Sequence, residues 1–155
     1  MLRIFVVVMM LAPTCLWAYQ NEPSGYEGHE WGTPFENMSE NMQLIQETNI
    51  KIYNKQDDAL TFQEVKLAEK IYAFYEDKFA AVMMRSIGAA ESKALLNAFE
   101  AEYGFGKKPD IRKDLYLWLG GTTTIMLSCN PSRDICIAMI NSTQLKQAIE
   151  ESAQK

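Results

Sequence analysis

The chain has 155 residues with 20 acidic and 15 basic side chains, so its formal net charge is −5 at pH 7. This acidic balance argues against a nucleic-acid partner, because phosphates need a basic surface to neutralise them, and no basic run is longer than the Lys107-Lys108 pair. The length is sufficient for one domain with its own hydrophobic core.

Residues 1–18 have the layout of a secretory signal peptide. Arg3 precedes the uncharged run Ile4–Ala12, Pro13 interrupts it, and Ala18 provides a small residue for cleavage. The apolar run is too short to cross a hydrocarbon core of about 30 Å. An uncleaved membrane anchor is the alternative. We expect cleavage after Ala18, a periplasmic or secreted mature chain, and no transmembrane segment in that chain.

Cleavage would leave two cysteines, Cys129 and Cys136. In an oxidising compartment an even number of cysteines favours a disulfide, so we predict one bridge between them. Their spacing is not Cys-x-x-Cys, which argues against a redox pair.

The first half of the mature chain gives weak structural signals. Residues 19–28 are polar and rich in turn formers, which predicts a flexible leader. A short helix is predicted next, with Thr33 as its cap, Pro34 at its first position and Glu36 three residues after the cap. Residues 42–53 alternate imperfectly around the polar centre "QETN", which predicts two short strands.

Residues 65–88 fit two structures. Their apolar residues match a helical stripe, and they also match two strands, 67–75 and 78–87, that turn at Glu76-Asp77. Aromatic and β-branched residues favour the strands, whereas alanine and long charged residues favour the helix. These residues alone leave the choice open.

The remainder is clearer. Residues 89–104 predict the main amphipathic helix, with Ala94, Leu95, Ala98, Phe99 and Tyr103 on one face and Gly104 as its C-terminal cap. Three antiparallel strands follow, over 114–119, 122–129 and 135–141, and a last helix is predicted over 143–152. The glycines of "YGFGKKPD" do not have P-loop spacing, and a helix cap with a turn explains them.

The two turns between these strands predict a register. A two-residue turn at Gly120-Gly121 pairs Leu119 with Thr122 and Tyr116 with Ile125. If Cys129 opposes Cys136, then Leu127 opposes Ala138 and Ile125 opposes Ile140. The opposite face then carries Leu115, Leu117, Leu119, Met126, Ile135, Ile137 and Met139. That face is too apolar for water, so we expect either helices on both faces or contact with another subunit.

Candidate site residues are few. His29 is the only histidine and is flanked by Glu30 and Trp31. A metal site needs three or more converging ligands, and no general acid–base pair can be recognised. We predict no catalytic residues, metal or cofactor, and we keep His29, Glu30 and Trp31 as candidates for binding.

Several short motifs are in an order that resembles an uncharacterised family of exported proteins from Gram-negative bacteria. The start Gly28–Pro34 matches that family's Gly-x-x-Trp-Gly-Thr/Ser-Pro motif. Residues 72–75, Tyr103-Gly104 and 118–122 resemble its aromatic hairpin, its helix end and its Trp-containing strand. The resemblance favours the hairpin for 65–88 and implies no activity.

Together these observations predict a single α+β domain over residues 29–155. It would contain an antiparallel sheet of about five to six strands, with a C-terminal three-stranded meander, packed by one main helix. The expected function is a non-catalytic binding or protein-interaction module, with an envelope protein or a second copy as partner. The alternative is a small periplasmic hydrolase with its site around His29, Glu30 and Trp31.

The signal peptide gives the first testable prediction. Mass spectrometry of the mature protein should find Tyr19 at the N-terminus, because Ala18 precedes the expected cleavage point. A mature chain that starts at a diacylated Cys15 would contradict this prediction.

Overall fold

The computed structural model of the chain describes residues 19–152, so the predicted signal peptide lies outside the described residues. The described strands are β1 (Gly25–Tyr26), β2 (His29–Glu30), β3 (Met42–Glu47), β4 (Ile50–Lys55), β5 (Thr61–Phe62), β6 (Val65–Lys66), β7 (Glu69–Tyr75), β8 (Lys78–Ile87), β9 (Leu115–Leu119), β10 (Thr123–Asn130) and β11 (Ile135–Ser142). The helices are α1 (Ala89–Tyr103) and α2 (Thr143–Ser152), with a 3-10 turn at Phe35–Asn37.

Seven of these strands form one antiparallel sheet in the order β3-β4-β7-β8-β11-β10-β9. Two small two-stranded sheets, β1-β2 and β5-β6, accompany it. The antiparallel α+β class agrees with the sequence prediction. The expected number of five to six strands is too low, because residues 65–88 add both strands of the hairpin β7–β8 to β3, β4 and the three C-terminal strands, which makes seven.

The hairpin β7–β8 settles the choice that the sequence left open. The burial pattern along β7 alternates strictly, with Lys70, Tyr72 and Phe74 buried, as a period of two requires. Glu76 and Asp77 both have positive φ, at 50° and 56°. Two consecutive left-handed residues form the tight turn that matches strand twist, so a helix cannot continue through this point.

The predicted register is right for β10–β11 and wrong for β9–β10. Cys129 opposes Cys136, with their Sγ atoms at disulfide distance, and Ile125 opposes Ile140. On the other side Leu119 pairs with Thr124 rather than Thr122, so this pairing is shifted by two residues. An even shift leaves every side chain on its predicted face.

The cause of the shift lies outside the turn itself. The Glu22 carboxylate accepts hydrogen bonds from the backbone N–H groups of Thr122 and Thr123, at 2.6 and 2.8 Å. This contact supports a three-residue connection, Gly120–Thr122, in place of the two-residue turn. The sequence around the glycines carries no sign of a partner so distant along the chain.

Helix α1 packs on one face of the sheet, which we call the inner face. Leu95, Ala98, Phe99 and Tyr103 of the predicted stripe are buried there, whereas Ala94 is only half-buried. The inner-face core contains Tyr53, Tyr72, Phe74, Phe79, Val82, Met84, Trp118, Ile125, Leu127, Cys136, Ala138 and Ile140.

Two glycines let the chain leave α1 close to this core. Gly104 ends the helix with φ of 76°, a left-handed conformation that suits glycine. A Cβ on Gly106 would lie 2.9 Å from the Trp118 ring, and the Trp118 Nε1–H donates to the Gly104 carbonyl at 2.8 Å. The glycine-rich stretch therefore serves to cover a buried tryptophan.

Two N-terminal predictions need correction. Residues 19–28 are not a free leader: Tyr19 and Tyr26 pack against the core, and Tyr19 donates to the Thr123 carbonyl at 3.0 Å. The predicted capped helix is a 3-10 turn of three residues without a side-chain cap. The Thr33 hydroxyl instead donates back to the Glu30 carbonyl at 2.7 Å, because backbone pairing with the hairpin fixes this segment.

Helix α2 occupies the predicted residues 143–152. The backbone N–H of Leu145 donates to the Ser142 hydroxyl at 3.3 Å, which satisfies one free donor at the helix start. Within residues 19–152, no helix is both long and apolar enough to cross a membrane.

The cysteine pair gives the second prediction. Replacing both cysteines by serine (Cys129→Ser with Cys136→Ser) should lower the free energy of unfolding by about 2 kcal/mol, because a short cross-linked loop in the unfolded chain is lost. Urea unfolding measures this, and the denatured, unreduced wild type should show no free thiol among these two residues. Two reactive thiols would contradict the bridge.

Candidate functional site

The N-terminal segment, residues 19–35, is held along the tip of the β7–β8 hairpin. Gly32 N–H donates to the Phe79 carbonyl at 2.8 Å, and Phe79 N–H donates to the Thr33 carbonyl at 2.9 Å. Phe35 N–H donates to the Asp77 carbonyl at 2.8 Å. Through these bonds residues 32–35 pair with the hairpin, and this pairing fixes the positions of the residues that precede them in the chain.

Trp31 anchors this segment to the core. Its ring centroid lies 5.0 Å from that of Phe79, and its Nε1–H donates to the Thr123 hydroxyl at 2.7 Å. Thr123 is fully buried, and its own hydroxyl donates to the Pro23 carbonyl. Both the apolar ring and the polar edge of the indole are therefore satisfied.

A surface cleft of about 540 Å³ lies beside this anchor. Its walls come from the N-terminal segment, the hairpin, the β9–β10 connection and the start of α2. Among its lining residues are Glu30, Trp31, Lys78, Thr122 and Gln144. The volume is in the usual range for small-molecule sites.

The three candidate residues do not all line one site. Glu30 and Trp31 line the 540 Å³ cleft, and Glu30 also lines, together with His29, a neighbouring groove of about 360 Å³ formed by residues 23–30. Among residues 19–152, no three His, Cys, Asp or Glu side chains converge as metal ligands. The cleft offers one carboxylate, one ammonium group, hydroxyls and an indole, which suits binding of a polar molecule.

A buried ionic cluster that the sequence does not reveal lies at Glu27, in the middle of the N-terminal segment. The Lys70 side chain is only 1% exposed, and its ammonium lies 2.7 Å from Glu27 and 3.0 Å from Asp58. The Tyr72 hydroxyl donates to Asp58 at 2.5 Å, and its oxygen also lies 3.2 Å from a Glu27 carboxylate oxygen. One cation and one phenol thus join three separate chain segments.

The aromatic members of the cluster remain protonated. Burial is the main cause that raises the pKa of Tyr72, and the hydrogen bond to Asp58 adds to it. Burial also raises the pKa of Tyr26, followed by the nearby Glu27 charge. The Tyr26 ring lies 5.7 Å from the Lys70 ammonium, in range of a cation–π contact.

One signal could have revealed this cluster. In "EKIYAFY" the period of two places Lys70 on the same face as Tyr72 and Phe74, which is the buried face of a central hairpin. A lysine in that register needs a carboxylate partner. Which carboxylates it meets depends on long-range packing, and Glu27 is 43 residues away.

The second face of the large sheet, which we call the outer face, has a different character. Its apolar residues are half-buried or exposed rather than buried. The half-buried ones are Ile50, Ile52, Ile71, Ala73, Tyr75, Ala81, Met83, Leu115, Leu117, Met126, Ile135, Ile137 and Met139, and the exposed ones are Ile87 and Leu119. The pairing registers place Ile71, Met83, Met139, Met126 and Leu117 in one continuous row across five strands.

Polar side chains lie around this row. Gln43 and Gln46 are exposed on the edge strand β3, and Ser128 is exposed near the end of β10. The charged pair Glu69–Arg85 also lies on this face, with Arg85 Nε 3.2 Å from a Glu69 oxygen. An apolar centre with a polar border is the usual anatomy of a protein interface.

Comparison with known proteins identifies no relative whose function could be assigned to this chain. Searches against protein-family models, curated proteins and solved structures found no match.

The buried cluster gives the third prediction. Lys70→Met should lower the free energy of unfolding by roughly 3 kcal/mol, because it leaves two carboxylates without their buried cation. Urea unfolding measures the loss, and adding Asp58→Asn to Lys70→Met should recover part of it, since one of those charges then disappears.

Lys51→Met is the matched control for Lys70→Met. Lys51 pairs with Asp77 at 2.8 Å, but both side chains are partly exposed, so solvent screens the pair and no measurable loss is expected. Equal unfolding midpoints for the Lys70 and Lys51 variants would refute a structural role for the cluster.

Proposed function

We propose that this chain is an exported, non-catalytic module that binds a protein partner in the cell envelope through its outer face. The observation that carries the proposal is the continuous apolar row on that face, which retains exposed surface and has polar neighbours. Exposed apolar patches of this extent are typical of interaction sites.

Export is part of this proposal. The signal-like residues 1–18 support it, and so does the cysteine pair at disulfide distance, because such bridges persist in oxidising compartments. The resemblance to exported Gram-negative proteins of unknown function points to the same destination, and we propose membership of that family as well.

The 540 Å³ cleft favours a second candidate function, a small-molecule or hydrolytic site at Glu30 and Trp31. In this alternative Glu30 would act on a ligand held between the N-terminal segment and the start of α2. His29 does not line this cleft, which weakens the hydrolase alternative, because within the cleft Glu30 has no histidine partner for proton transfer.

Two variants separate the candidates, and they give the fourth prediction. Met83→Glu places a charge in the apolar row and should abolish capture of a specific partner by cross-linking in the native envelope. Glu30→Ala should leave capture unchanged. Mass spectrometry identifies the captured protein, and far-UV circular dichroism checks that each variant is folded.

Ile111→Glu is the control for the added charge, since Ile111 is an apolar residue that is 87% exposed and lies on the 104–114 connection. It should capture the partner as the wild type does. Loss of capture in Glu30→Ala, with Met83→Glu unaffected, would favour the cleft and contradict the proposal.

A further inference from the structure

We propose that the partner on the outer face is a second copy of this chain, so that two sheets pack face to face in a symmetric dimer. This inference rests on the proposed function, because it names the occupant of the same surface. Three properties of the outer face support it: its area, its composition and its charge.

The area of the face matches what a dimer requires. The seven strands of the sheet at a spacing of ~4.8 Å extend across roughly 34 Å. Strands of 5 to 10 residues are about 17 to 34 Å long at ~3.4 Å per residue. The footprint is therefore roughly 600–1,100 Å², and a standard stable interface buries about 800 Å² per partner.

The composition fits sheet-on-sheet packing. Three of the five residues in the central row are methionines, Met83, Met126 and Met139. Unbranched methionine side chains adjust to fill gaps between two surfaces, which suits the contact of a flat sheet with its own copy. The half-buried isoleucines and leucines beside them supply the remaining apolar area.

The charge distribution favours a second copy over an acidic or a basic partner. The whole chain is acidic, with a net charge of −5, so two copies repel one another over most of their surfaces. The outer face instead carries the Glu69–Arg85 pair, with one charge of each sign. Under two-fold symmetry each copy presents the same patch to the other, and a patch with balanced charge is complementary to itself.

The methionine row also shows which substitution should disrupt the dimer contact. Met139 opposes both Met83 and Met126 in the sheet, so it lies at the middle of the row. A carboxylate at this position would be buried without a cation in the dimer, but it would remain partly hydrated in the monomer.

The test is the mass of the mature wild-type chain by size-exclusion chromatography with light scattering, from low- to high-micromolar concentration. We expect twice the monomer mass for the wild type and for the control Ile111→Glu. Met139→Glu and Met126→Glu should each have the monomer mass, with unchanged far-UV circular dichroism. Two variants are used so that misfolding of one does not decide the result.

Other outcomes overturn the dimer and are distinguishable from failure of the proposed function. A monomeric wild type, with envelope capture that Met83→Glu abolishes, refutes the dimer and retains a foreign partner on the outer face. A monomeric wild type whose capture is insensitive to Met83→Glu refutes both proposals. A dimer that persists in both methionine variants assigns self-association to another surface.

Discussion

The ammonium group of Lys70 lies on the inner face of β7, where an unpaired charge would cost several kcal/mol. Its side chain is almost completely enclosed, so its carboxylate partners must come to it. Glu27 comes from the N-terminal segment, and Asp58 comes from the loop between β4 and β5. Tyr72 completes the cluster, because its hydroxyl donates to Asp58 and lies within 3.2 Å of Glu27. The positions of two irregular segments therefore follow from one buried cation.

Once Glu27 is fixed, the rest of the N-terminal segment has little freedom. Glu22 and Trp31, before and after Glu27 in the chain, both form hydrogen bonds with Thr123 of β10, and Trp31 also packs on Phe79 of β8. The segment thus bridges both halves of the large sheet. The N-terminal segment and the start of α2 both line the 540 Å³ cleft, so the contacts that hold this segment on the core also shape the cleft. Binding of a ligand in the cleft would therefore affect contacts that stabilise the fold.

Local patterns in the sequence predict the elements that depend on neighbouring residues or on a regular spacing of apolar residues. Helix α1 follows from its apolar stripe and Gly104, and the β10–β11 register follows from the opposed cysteines. The predictions fail where a distant side chain decides the local structure. Glu22 changes the β9–β10 connection, and the hairpin captures the segment around Thr33. The candidate site follows the same division: Glu30 and Trp31 could be selected from sequence, whereas the Lys70 cluster depends on contacts between remote segments.

The apolar surface of this sheet exceeds the covering that the described chain provides. Helix α1 and the β5–β6 hairpin both contribute to the inner-face core, for example through the stacked rings of Phe62 and Phe99, 4.5 Å apart. The N-terminal segment adds Trp31 and Tyr26 to that same core. Along β7 and β11, half-buried residues of the outer face alternate with buried residues of the inner face. A strand with apolar residues at both parities is typical of a sheet covered on both sides. The residue pattern of this sheet is therefore typical of a layer covered on both sides, and this pattern is the physical basis of the contact proposed for the outer face.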